Sequence, residues 1–423
     1  MRPPVALVLA GGSSSRFWPL RGKLFLPFGA SSLLERHLRV LRDAGFDRSV
    51  VITRPDTRET VAALTPPVGM TLDVAVQPEA RGMGDAVLCA RDALMPLGDV
   101  PVYVTQAHDV VDDSLHAGML QRWSTAKPGL AGLIAAARVT SYFPGGYLTL
   151  EGERVTAVVE KPAPGSEPSD LVNIVAHVFA SWRELTSAIE AEAALPGGDD
   201  VYERALSRLM AERVFKASVY EGRWAALKYP WHVLDVMELL LERWTRGLES
   251  PGPDYEQRED GVFVGRDVRI FPGANVVAPA LLGHGAVVGH NALVRGSQQG
   301  PRSLAGIGSE VARSNHGEGG ELHHNYVGDS VLERDTSMGY GATTANYRLD
   351  GRTVPMFAGG VRIDTGRMKL GLILGEGARI GVNTSTMPGV RIGAGAMIGP
   401  MLRVTRDVPE GERVLDEETY GRF

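Results

Sequence analysis

The chain has 423 residues, its formal net charge is −6, and 44% of its residues are hydrophobic while 22% are charged. This length allows about two or three domains with sizeable cores, and the composition is that of a globular protein. The negative net charge excludes a general attraction to nucleic acid or to an anionic membrane. An anion-binding site must therefore be a local cluster of residues.

Cysteine usage and hydropathy indicate the compartment. The single cysteine, Cys89, excludes an internal disulfide and favours a reducing environment. It stands in the apolar pattern 86–90, which is typical of a buried structural thiol. No apolar run reaches the roughly 18 residues that a membrane-spanning helix needs, and Gly11 and Gly12 interrupt the first one. We therefore expect a cytoplasmic protein with no membrane partner and no nucleic-acid partner.

The first part of the chain alternates short apolar runs with amphipathic helical patterns. In chain order, the predicted strands are 5–9, 48–52, 72–76, 102–105 and 132–137, and the predicted helices are 32–44, 84–97, 181–192 and 202–212. This alternation predicts an α/β domain with a mainly parallel sheet. Ligands bind such sheets at the carboxyl ends of the strands.

The turn after the first predicted strand is a candidate phosphate-binding site. Leu9 ends the strand, Ala10, Gly11, Gly12 and three serines follow it, and Arg16 and Lys23 stand beyond them. Paired glycines allow a backbone to approach a ligand closely, and their amides with the two cations would bind several negative charges, such as a triphosphate. The alternative is an ordinary strand–helix turn, because a short glycine motif is weak evidence by itself.

A six-residue period dominates the second part of the chain, after a helical pattern at 233–244. Aliphatic residues recur at every sixth position from Val264 to Val294, and again from Leu374 to Val404 with Thr386 as the exception. Mostly small residues stand four positions further on in each hexad. This pattern predicts a β-helix, in which short strands turn corners and stack coil on coil. Chance periodicity is the alternative.

The two patterns divide the chain into a first domain at 1–245, a linker at 246–261 and a β-helix domain at 262–423. Residues 297–326 break the hexad and contain His316, His323 and His324. A polar interruption of this kind predicts a loop on the binding face of the solenoid. A metal site is the alternative for the histidines, although three histidines without regular spacing to a cysteine or an acid are weak evidence for zinc.

The string Leu-Ala-Gly-Gly-x-x-x-Arg, followed by Lys-x-Phe-Leu-Pro, resembles the sugar-1-phosphate nucleotidylyltransferases. With the β-helix behind it, the chain is similar over nearly its whole length to the bifunctional nucleotidylyltransferase/acetyltransferases. The resemblance implies a Rossmann-like nucleotidyltransferase domain followed by a left-handed parallel β-helix of hexapeptide repeats. It also implies that a sugar phosphate oxygen attacks the α-phosphorus of a nucleoside triphosphate and releases pyrophosphate, which mainly needs positioning and charge stabilisation.

The resemblance assigns roles to residues of the first domain. Arg16 and Lys23 match the family's phosphate-binding and activating pair, and Asp109 matches its Mg²⁺-binding carboxylate. Gln77 and Gly82 resemble the segment that reads a pyrimidine base, and a Gln amide suits the imide edge of uracil or thymine. The residues that match sugar- and phosphate-contacting positions are Gly146, Glu160, Lys161 and Asn173.

Several of these residues could have a purely structural role instead. Gln77 could be a turn residue, Asp109 a solvated loop acid, and Glu160 with Lys161 a surface ion pair at a strand end. The chain also departs from the family. Met83 replaces a small or hydroxyl residue, and Ala226 stands where the family has a second metal-binding carboxylate.

Strings in the second domain resemble the acetyltransferase half of the family. His323 matches the family's general base, which takes the proton of the sugar amine. A neutral imidazole can accept this proton at neutral pH. Asn346 would orient the amino sugar, Tyr326 would contact its phosphate, and acetyl-CoA would lie along the coils near 345–374. Arg348 and Arg352 stand near where the family has lysines. Relatives of this kind imply a homotrimer.

The function implied is transfer of a nucleotidyl group from UTP or dTTP to a sugar 1-phosphate of the glucose or N-acetylglucosamine type. The second implied function is N-acetylation of an amino sugar phosphate from acetyl-CoA. Two alternatives remain: a non-catalytic regulatory subunit that binds nucleotide sugars, which Met83 and Ala226 motivate, and an acetyltransferase whose first domain is vestigial.

Overall fold

A computed structural model describes residues 2–12, 15–140, 142–143, 145–196, 198, 200–258, 261–358 and 360–415. The chain divides into two compact units. The first comprises Met1–Ser13 and Leu34–Trp224, and the second comprises Ser14–Leu33 and Ala225–Phe423. The domain limits inferred from the sequence remain a prediction, because compactness and independent folding are different properties.

Within the described residues, a nine-stranded mixed sheet forms the core of the first unit. The first four strands in its spatial order pair in parallel, and so do the sixth and seventh, whereas the other neighbours are antiparallel. Half of the neighbouring pairs are thus antiparallel, and the expected mainly parallel sheet is wrong, because apolar runs do not encode strand direction. In spatial order the strands are Thr71–Val76, Arg48–Thr53, Val5–Leu9, Val102–Gln106, Leu171–Phe179, Leu130–Arg138, Val214–Tyr220, Arg154–Glu160 and Gly146–Glu151.

Helices cover this sheet and allow its central strands to be apolar throughout. All residues of Val5–Leu9 are buried, as expected for a parallel strand with both faces covered. The helix Asp113–Ser124 escaped the sequence analysis, although the Asp112 side chain caps it by accepting a hydrogen bond from the Ser114 backbone amide. The helices before the β-helix are Leu33–Asp43, Arg58–Ala62, Met83–Cys89, Arg91–Leu94, Asp113–Ser124, Trp182–Ala193, Val201–Glu212 and His232–Thr245.

The second unit is dominated by a left-handed parallel β-helix with three faces. On one face, aliphatic side chains stack coil on coil, with Leu322 opposite Met338, Met338 opposite Ile380 and Ile380 opposite Ile398. The strands of this face are Arg269–Ile270, Val287–Val288, Leu304–Ala305, Glu321–Leu322, Ser337–Met338, Arg379–Ile380, Met397–Ile398 and Arg413–Val414. The hexad therefore predicts this architecture correctly, because each interior position recurs once per face.

The other two faces belong to one continuous sheet, because two longer strands, Asn275–Leu282 and Leu293–Gln299, turn the corner between them. The remaining strands of this sheet are Glu256–Arg258, Val262–Val264, Glu310–Ala312, Asn315–His316, Tyr326–Gly328, Val331–Leu332, Thr343–Thr344, Ile373–Leu374, Ser385–Thr386, Arg391–Ile392 and Arg403–Val404. Helix His232–Thr245 lies against the two longer strands.

The loop expected at 297–326 is wrong, because this segment continues the coils and its strands pair in parallel with their neighbours. Hydrogen bonds replace hydrophobic contacts at one corner. The Ser297 hydroxyl accepts from the Ser314 amide at 3.0 Å, and the Ser314 hydroxyl accepts from the Ser330 amide at 3.0 Å. The excursion from the coils comes later, where Pro355–Ala358 and Val361–Asp364 form an antiparallel hairpin.

Short elements complete the description. Ser15–Phe17, Lys23–Phe25, Pro55–Thr57 and Met95–Leu97 are single turns of 3₁₀ helix, and the two-residue strands Pro27–Phe28 and Ser31–Ser32 pair with each other. Asp109–Val111 and Trp224–Ala226 are further short strands. No helix in the described part of the chain is both long enough and apolar enough to cross a membrane.

Candidate active sites

The first candidate site begins where the strand Val5–Leu9 ends. The Ala10 amide donates to the Ile52 carbonyl at 2.8 Å, which continues the sheet by one residue. Gly11 is buried, and a Cβ atom added to it would lie 2.4 Å from Oε1 of Gln77. A larger residue at position 11 would therefore displace the Gln77 amide, and the structure places the amide oxygen of Gln77 directly against this backbone.

The structure also brings Gln77 and Gly82 together. Gly82 has a φ of 95° and precedes helix Met83–Cys89, and its carbonyl accepts from Nε2 of Gln77 at 3.1 Å. Nε2 donates a second hydrogen bond, at 2.9 Å, to Oδ2 of Asp85 in the first turn of that helix. Asp85 was not predicted from the sequence, where its only signal is an acid at a helix start shortly after a glutamine. Leu9, Ala10, Gly12 and this cluster lie in the same unit.

Asp109 is buried at the start of the strand Asp109–Val111, just beyond the strand Val102–Gln106. The indole Nε1 of Trp224 donates to its Oδ1 at 3.2 Å. This role of Trp224 was not predicted from the sequence, because nothing local connects it to Asp109. Burial with a specific donor argues against the alternative of a solvated loop acid.

A divalent cation at Asp109 would need further ligands. Among the residues that the structure describes, no group of three or more His, Cys, Asp or Glu side chains could hold a metal ion. Asp235, a possible substitute for the acid missing at Ala226, is ion-paired with Arg367. Mg²⁺ nevertheless fits the donor set, because it commonly takes one or two protein carboxylates and completes its shell with substrate phosphates and water.

Three of the residues matched to sugar binding meet on neighbouring strands. Gly146 is paired with Glu160 in antiparallel register. A Cβ added to Gly146 would lie 3.1 Å from Nδ2 of Asn173 and 3.1 Å from Oε2 of Glu160. Lys161 has a φ of 44°, and its Nζ lies 2.8 Å from Oε1 of Glu160. The expected alternative, an ion pair at a strand end, is thus present within the same cluster.

Two buried residues that the sequence analysis missed support Asn173. Nε2 of His177 lies 3.0 Å from Oδ1 of Asn173, and Nδ1 of His177 lies 3.0 Å from the Tyr202 hydroxyl. Burial lowers the pKa of His177 to about 3, so the ring is neutral at physiological pH. A neutral ring has one donor and one acceptor, which suits a relay from Tyr202 through His177 to Asn173. The strand is irregular between Asn173 and His177, which re-aims the Asn173 side chain.

Arg16 and Lys23 belong to the second unit. Arg16 is exposed, and its guanidinium carbon lies 6.0 Å from the centre of the Tyr229 ring, which itself stacks on Trp231. Lys23 is half-buried and begins a 3₁₀ turn after Gly22, whose φ is 57°. Ala226 ends the short strand Trp224–Ala226.

The second candidate site lies on the β-helix. Nδ2 of Asn346 donates to the Tyr326 hydroxyl at 3.1 Å and also to Oδ2 of Asp329. Arg313 donates to both oxygens of the Asp329 carboxylate. The structure therefore brings Tyr326 and Asn346 into contact. Asp329 and Arg313 were missed, because nothing in the sequence connects residues on successive coils.

His323 lies at the corner after the strand Glu321–Leu322 and is exposed. It lines a groove together with His290, Arg302 and Ile307. The other histidines of this region have different roles. His316 is buried inside the coils, where burial lowers its pKa to about 4, and His324 stacks on Tyr340. The three histidines therefore do not form a metal site.

A pocket of about 300 Å³ lies beside the hairpin that leaves the coils. Arg348, Arg352 and Arg362 line it together with Asp364. Arg348 is ion-paired with Asp350. The two arginines that stand near the family's lysine positions are thus found at one small, cationic cavity.

Taken together, a glycine turn at the end of a parallel strand, a buried carboxylate and a β-helix define a nucleotide-sugar type of transferase. The family model described as nucleotidyl transferase matches residues 5–225. The chain belongs to the nucleotidyl transferase family.

Curated relatives extend the similarity to the whole chain. A bifunctional sugar-1-phosphate nucleotidylyltransferase/acetyltransferase of Sulfurisphaera tokodaii is 28% identical over 96% of this chain and 98% of its own length. The bifunctional protein GlmU of Methanocaldococcus jannaschii is 25% identical over 95% of each chain. Among solved structures, the chain is similar to a UDP-glucose pyrophosphorylase from Acinetobacter baumannii. The match spans 58% of this chain and 94% of the pyrophosphorylase chain, with 18% identity and a TM-score of 0.49.

Proposed function

We propose that the chain transfers a nucleotidyl group from UTP or dTTP to a sugar 1-phosphate of the glucose or N-acetylglucosamine type. The observation that carries this proposal is the contact of Gln77 with Gly11, a buried amide that lies against the backbone of a glycine turn. Such a pair can bind the edge of a base while the turn amides bind phosphate. Full-length similarity to enzymes named for this reaction supports it.

In the proposed reaction, an oxygen of the sugar phosphate attacks the α-phosphorus of the nucleoside triphosphate. The new P–O bond forms as the bond to pyrophosphate breaks, and pyrophosphate carries away the electron pair. Gly11 and Gly12 bind the phosphates through their amides, and Arg16 and Lys23 neutralise the charge. Asp109, oriented by the Trp224 indole, would hold Mg²⁺. When bound, Mg²⁺ supplies charge stabilisation to the phosphate oxygens.

The sugar 1-phosphate binds at the Gly146 cluster. Glu160 accepts hydrogen bonds from sugar hydroxyls, Asn173 donates one through its Nδ2, and Lys161 binds the phosphate. The absence of a side chain at Gly146 leaves room beside Glu160 and Asn173, because an added Cβ would lie 3.1 Å from a polar atom of each.

The proposed second activity is acetyl transfer from acetyl-CoA to the amine of an amino sugar phosphate. His323 takes the amine proton as the N–C bond forms and the thioester C–S bond breaks, and the CoA sulfur leaves as thiolate and is then protonated. Tyr326 contacts the sugar phosphate, and Asn346 orients the amino sugar. The contact between these two side chains supports their joint role.

We also propose a homotrimer in the cytoplasm. One face of the β-helix consists of the eight strands from Arg269–Ile270 to Arg413–Val414. Large apolar side chains just after strands of this face are exposed: Phe271, Ile307, Tyr340, Val382 and Met401. A row of exposed apolar residues is typical of a surface that another subunit covers. Sedimentation analysis of the full chain tests this assembly state.

A substrate panel tests the proposed function. Purified full-length protein is incubated with Mg²⁺, each of the common nucleoside triphosphates and each candidate sugar 1-phosphate, and pyrophosphate release is measured. Release with UTP or dTTP supports the proposal. Nucleotide binding without release across the panel supports the regulatory alternative. CoA release from acetyl-CoA without any pyrophosphate release supports an acetyltransferase with a vestigial first domain.

A further inference from the structure

We propose that Asp85 positions the Gln77 amide so that its oxygen faces the nucleobase, and that Asp85 thereby selects bases that carry a ring N–H donor. This inference rests on the proposed nucleotidyl transfer. Asp85 is a positioning residue, because it acts on the base through Gln77.

The hydrogen bonds of Gln77 determine which way its amide points. Nε2 donates to Oδ2 of Asp85 at 2.9 Å and to the Gly82 carbonyl at 3.1 Å. A carboxylate and a carbonyl can only accept, so the reverse orientation would place Oε1 against two acceptors. Gln77 is 3% exposed, so its amide cannot rotate in water to another set of partners. The two acceptors therefore fix the amide with Nε2 towards Asp85 and Gly82.

The remaining polar atom of the amide is Oε1, which lies against Gly11. No residue in the described part of the chain donates a hydrogen bond to it. An acceptor beside the glycine turn can receive the N3–H of uracil or thymine. Cytosine has a lone pair at the same ring position, and two facing lone pairs repel each other. A site of this kind rejects the base that lacks the donor, because its polar atom is left unpaired.

A second contact holds the Asp85 carboxylate in place. Nε of Arg81 lies 3.5 Å from Oδ1 of Asp85, on the oxygen that does not bind Gln77. The carboxylate is thus held on one side by Arg81 and bound to Gln77 on the other. Gly82 alone supplies one acceptor and leaves the second N–H of the amide unpaired.

The test compares kcat/KM for UTP, dTTP and CTP with the preferred sugar 1-phosphate, in full-length wild type and variants. Asp85→Ala is expected to lower the UTP-to-CTP ratio about five- to tenfold, because one of the two acceptors that orient the amide is lost. Asp85→Asn is expected to keep most of the ratio, since its Oδ1 can still accept. Asp92→Ala, which removes an exposed acid on the next helix, is the matched control and should leave the ratio unchanged.

If Asp85→Ala is folded but inactive, calorimetry measures the affinities of the same proteins for UTP and CTP instead. Equal loss of affinity for both nucleotides, or an unchanged ratio in Asp85→Ala, would overturn the inference while leaving the proposed function intact. A wild type that binds and uses no nucleotide would overturn the proposed function and the inference together.

Discussion

Arg313 donates two parallel hydrogen bonds, each 2.7 Å long, to the two oxygens of the buried Asp329 carboxylate. The pair joins successive coils of the β-helix, and the same carboxylate accepts from Asn346. This bidentate pair raises the pKa of Arg313, so the guanidinium stays charged at any accessible pH. A structural ion pair therefore lies directly behind two residues of the proposed acetyl-transfer site.

Removal of Arg313 should destabilise the β-helix, because it leaves a buried carboxylate without its counter-charge. For Arg313→Ala we expect a loss of about 2–3 kcal/mol in the free energy of unfolding, less than for a fully buried pair because Arg313 is partly exposed. Urea unfolding of the wild type and the variant measures this loss in the free energy of unfolding. Arg302→Ala is the control, since Arg302 and Glu318 form an exposed pair that should contribute less than about 1 kcal/mol. Equal effects of the two variants would contradict this account.

Loss of the Asp109 carboxylate should raise the Mg²⁺ requirement of pyrophosphate release. For Asp109→Asn we expect a decrease in kcat of about a hundredfold and a higher half-saturating Mg²⁺ concentration, because a hard cation loses its protein ligand. Mg²⁺ titration of initial rates checks this. Asp112→Asn is the control, because asparagine caps a helix about as well as aspartate does. An unchanged Mg²⁺ titration in Asp109→Asn would exclude Asp109 as the ligand.

The relay behind Asn173 can be interrupted without touching the substrate. Tyr202→Phe removes the hydroxyl that contacts His177, so we expect KM for the sugar 1-phosphate to rise about three- to tenfold with KM for the nucleotide unchanged. Tyr220→Phe is the control, because the hydroxyl that it loses donates to the Arg223 carbonyl and accepts from the Asp112 amide rather than contacting His177. If both variants change the sugar KM equally, the relay has no specific role.

His323→Ala should separate the two proposed activities. We expect CoA release to fall by about a hundredfold or more, as is usual on loss of a general base, while pyrophosphate release stays at the wild-type rate. Both products are measured on the same preparation of the full-length protein. His284→Ala, on another coil beside Tyr255, is the control. Retention of CoA release in His323→Ala would remove this residue from the mechanism.

Buried histidines should make the protein sensitive to acid. Burial lowers the pKa of His177 to about 3 and the pKa of His316 to about 4, so the unfolded chain binds protons that the folded chain does not. The two histidines therefore leave the free energy of unfolding unchanged above about pH 6.5. As the pH drops from there towards 4, the free energy of unfolding falls by up to about 1.4 kcal/mol per pH unit for each histidine. Unfolding experiments between pH 7 and about pH 4.5 measure this slope.

His316→Leu should reduce this slope and stabilise the coils. Both ring nitrogens of His316 are buried and have no partner among the described residues, and the next coil places Leu332 beside it. Replacement by leucine is expected to raise the free energy of unfolding by about 1–3 kcal/mol near pH 7. His290→Leu, at an exposed position, is the control. A loss of stability in His316→Leu would show that the imidazole is satisfied inside the coils.

Several features were predictable because they depend on neighbours in the chain. The apolar run of Val5–Leu9 and the hexads from Val264 onward have short periods, and each period is typical of one architecture. The direction of the strands Leu171–Phe179 and Arg154–Glu160 could not be predicted, since it depends on the path of the chain between them. The continuation of the coils through 297–326 was missed for a related reason, because serine hydrogen bonds replaced the hydrophobic period.

The sequence by itself determined the two architectures and the glycine turn, because periodicity and the absence of a Cβ atom are local properties. Only the tertiary structure decided which polar groups hold the site residues. Asp85 orients Gln77, His177 contacts Asn173, and Asp329 binds Asn346. These partners become neighbours only after folding, when burial removes water and each polar atom must find its hydrogen bond within the protein.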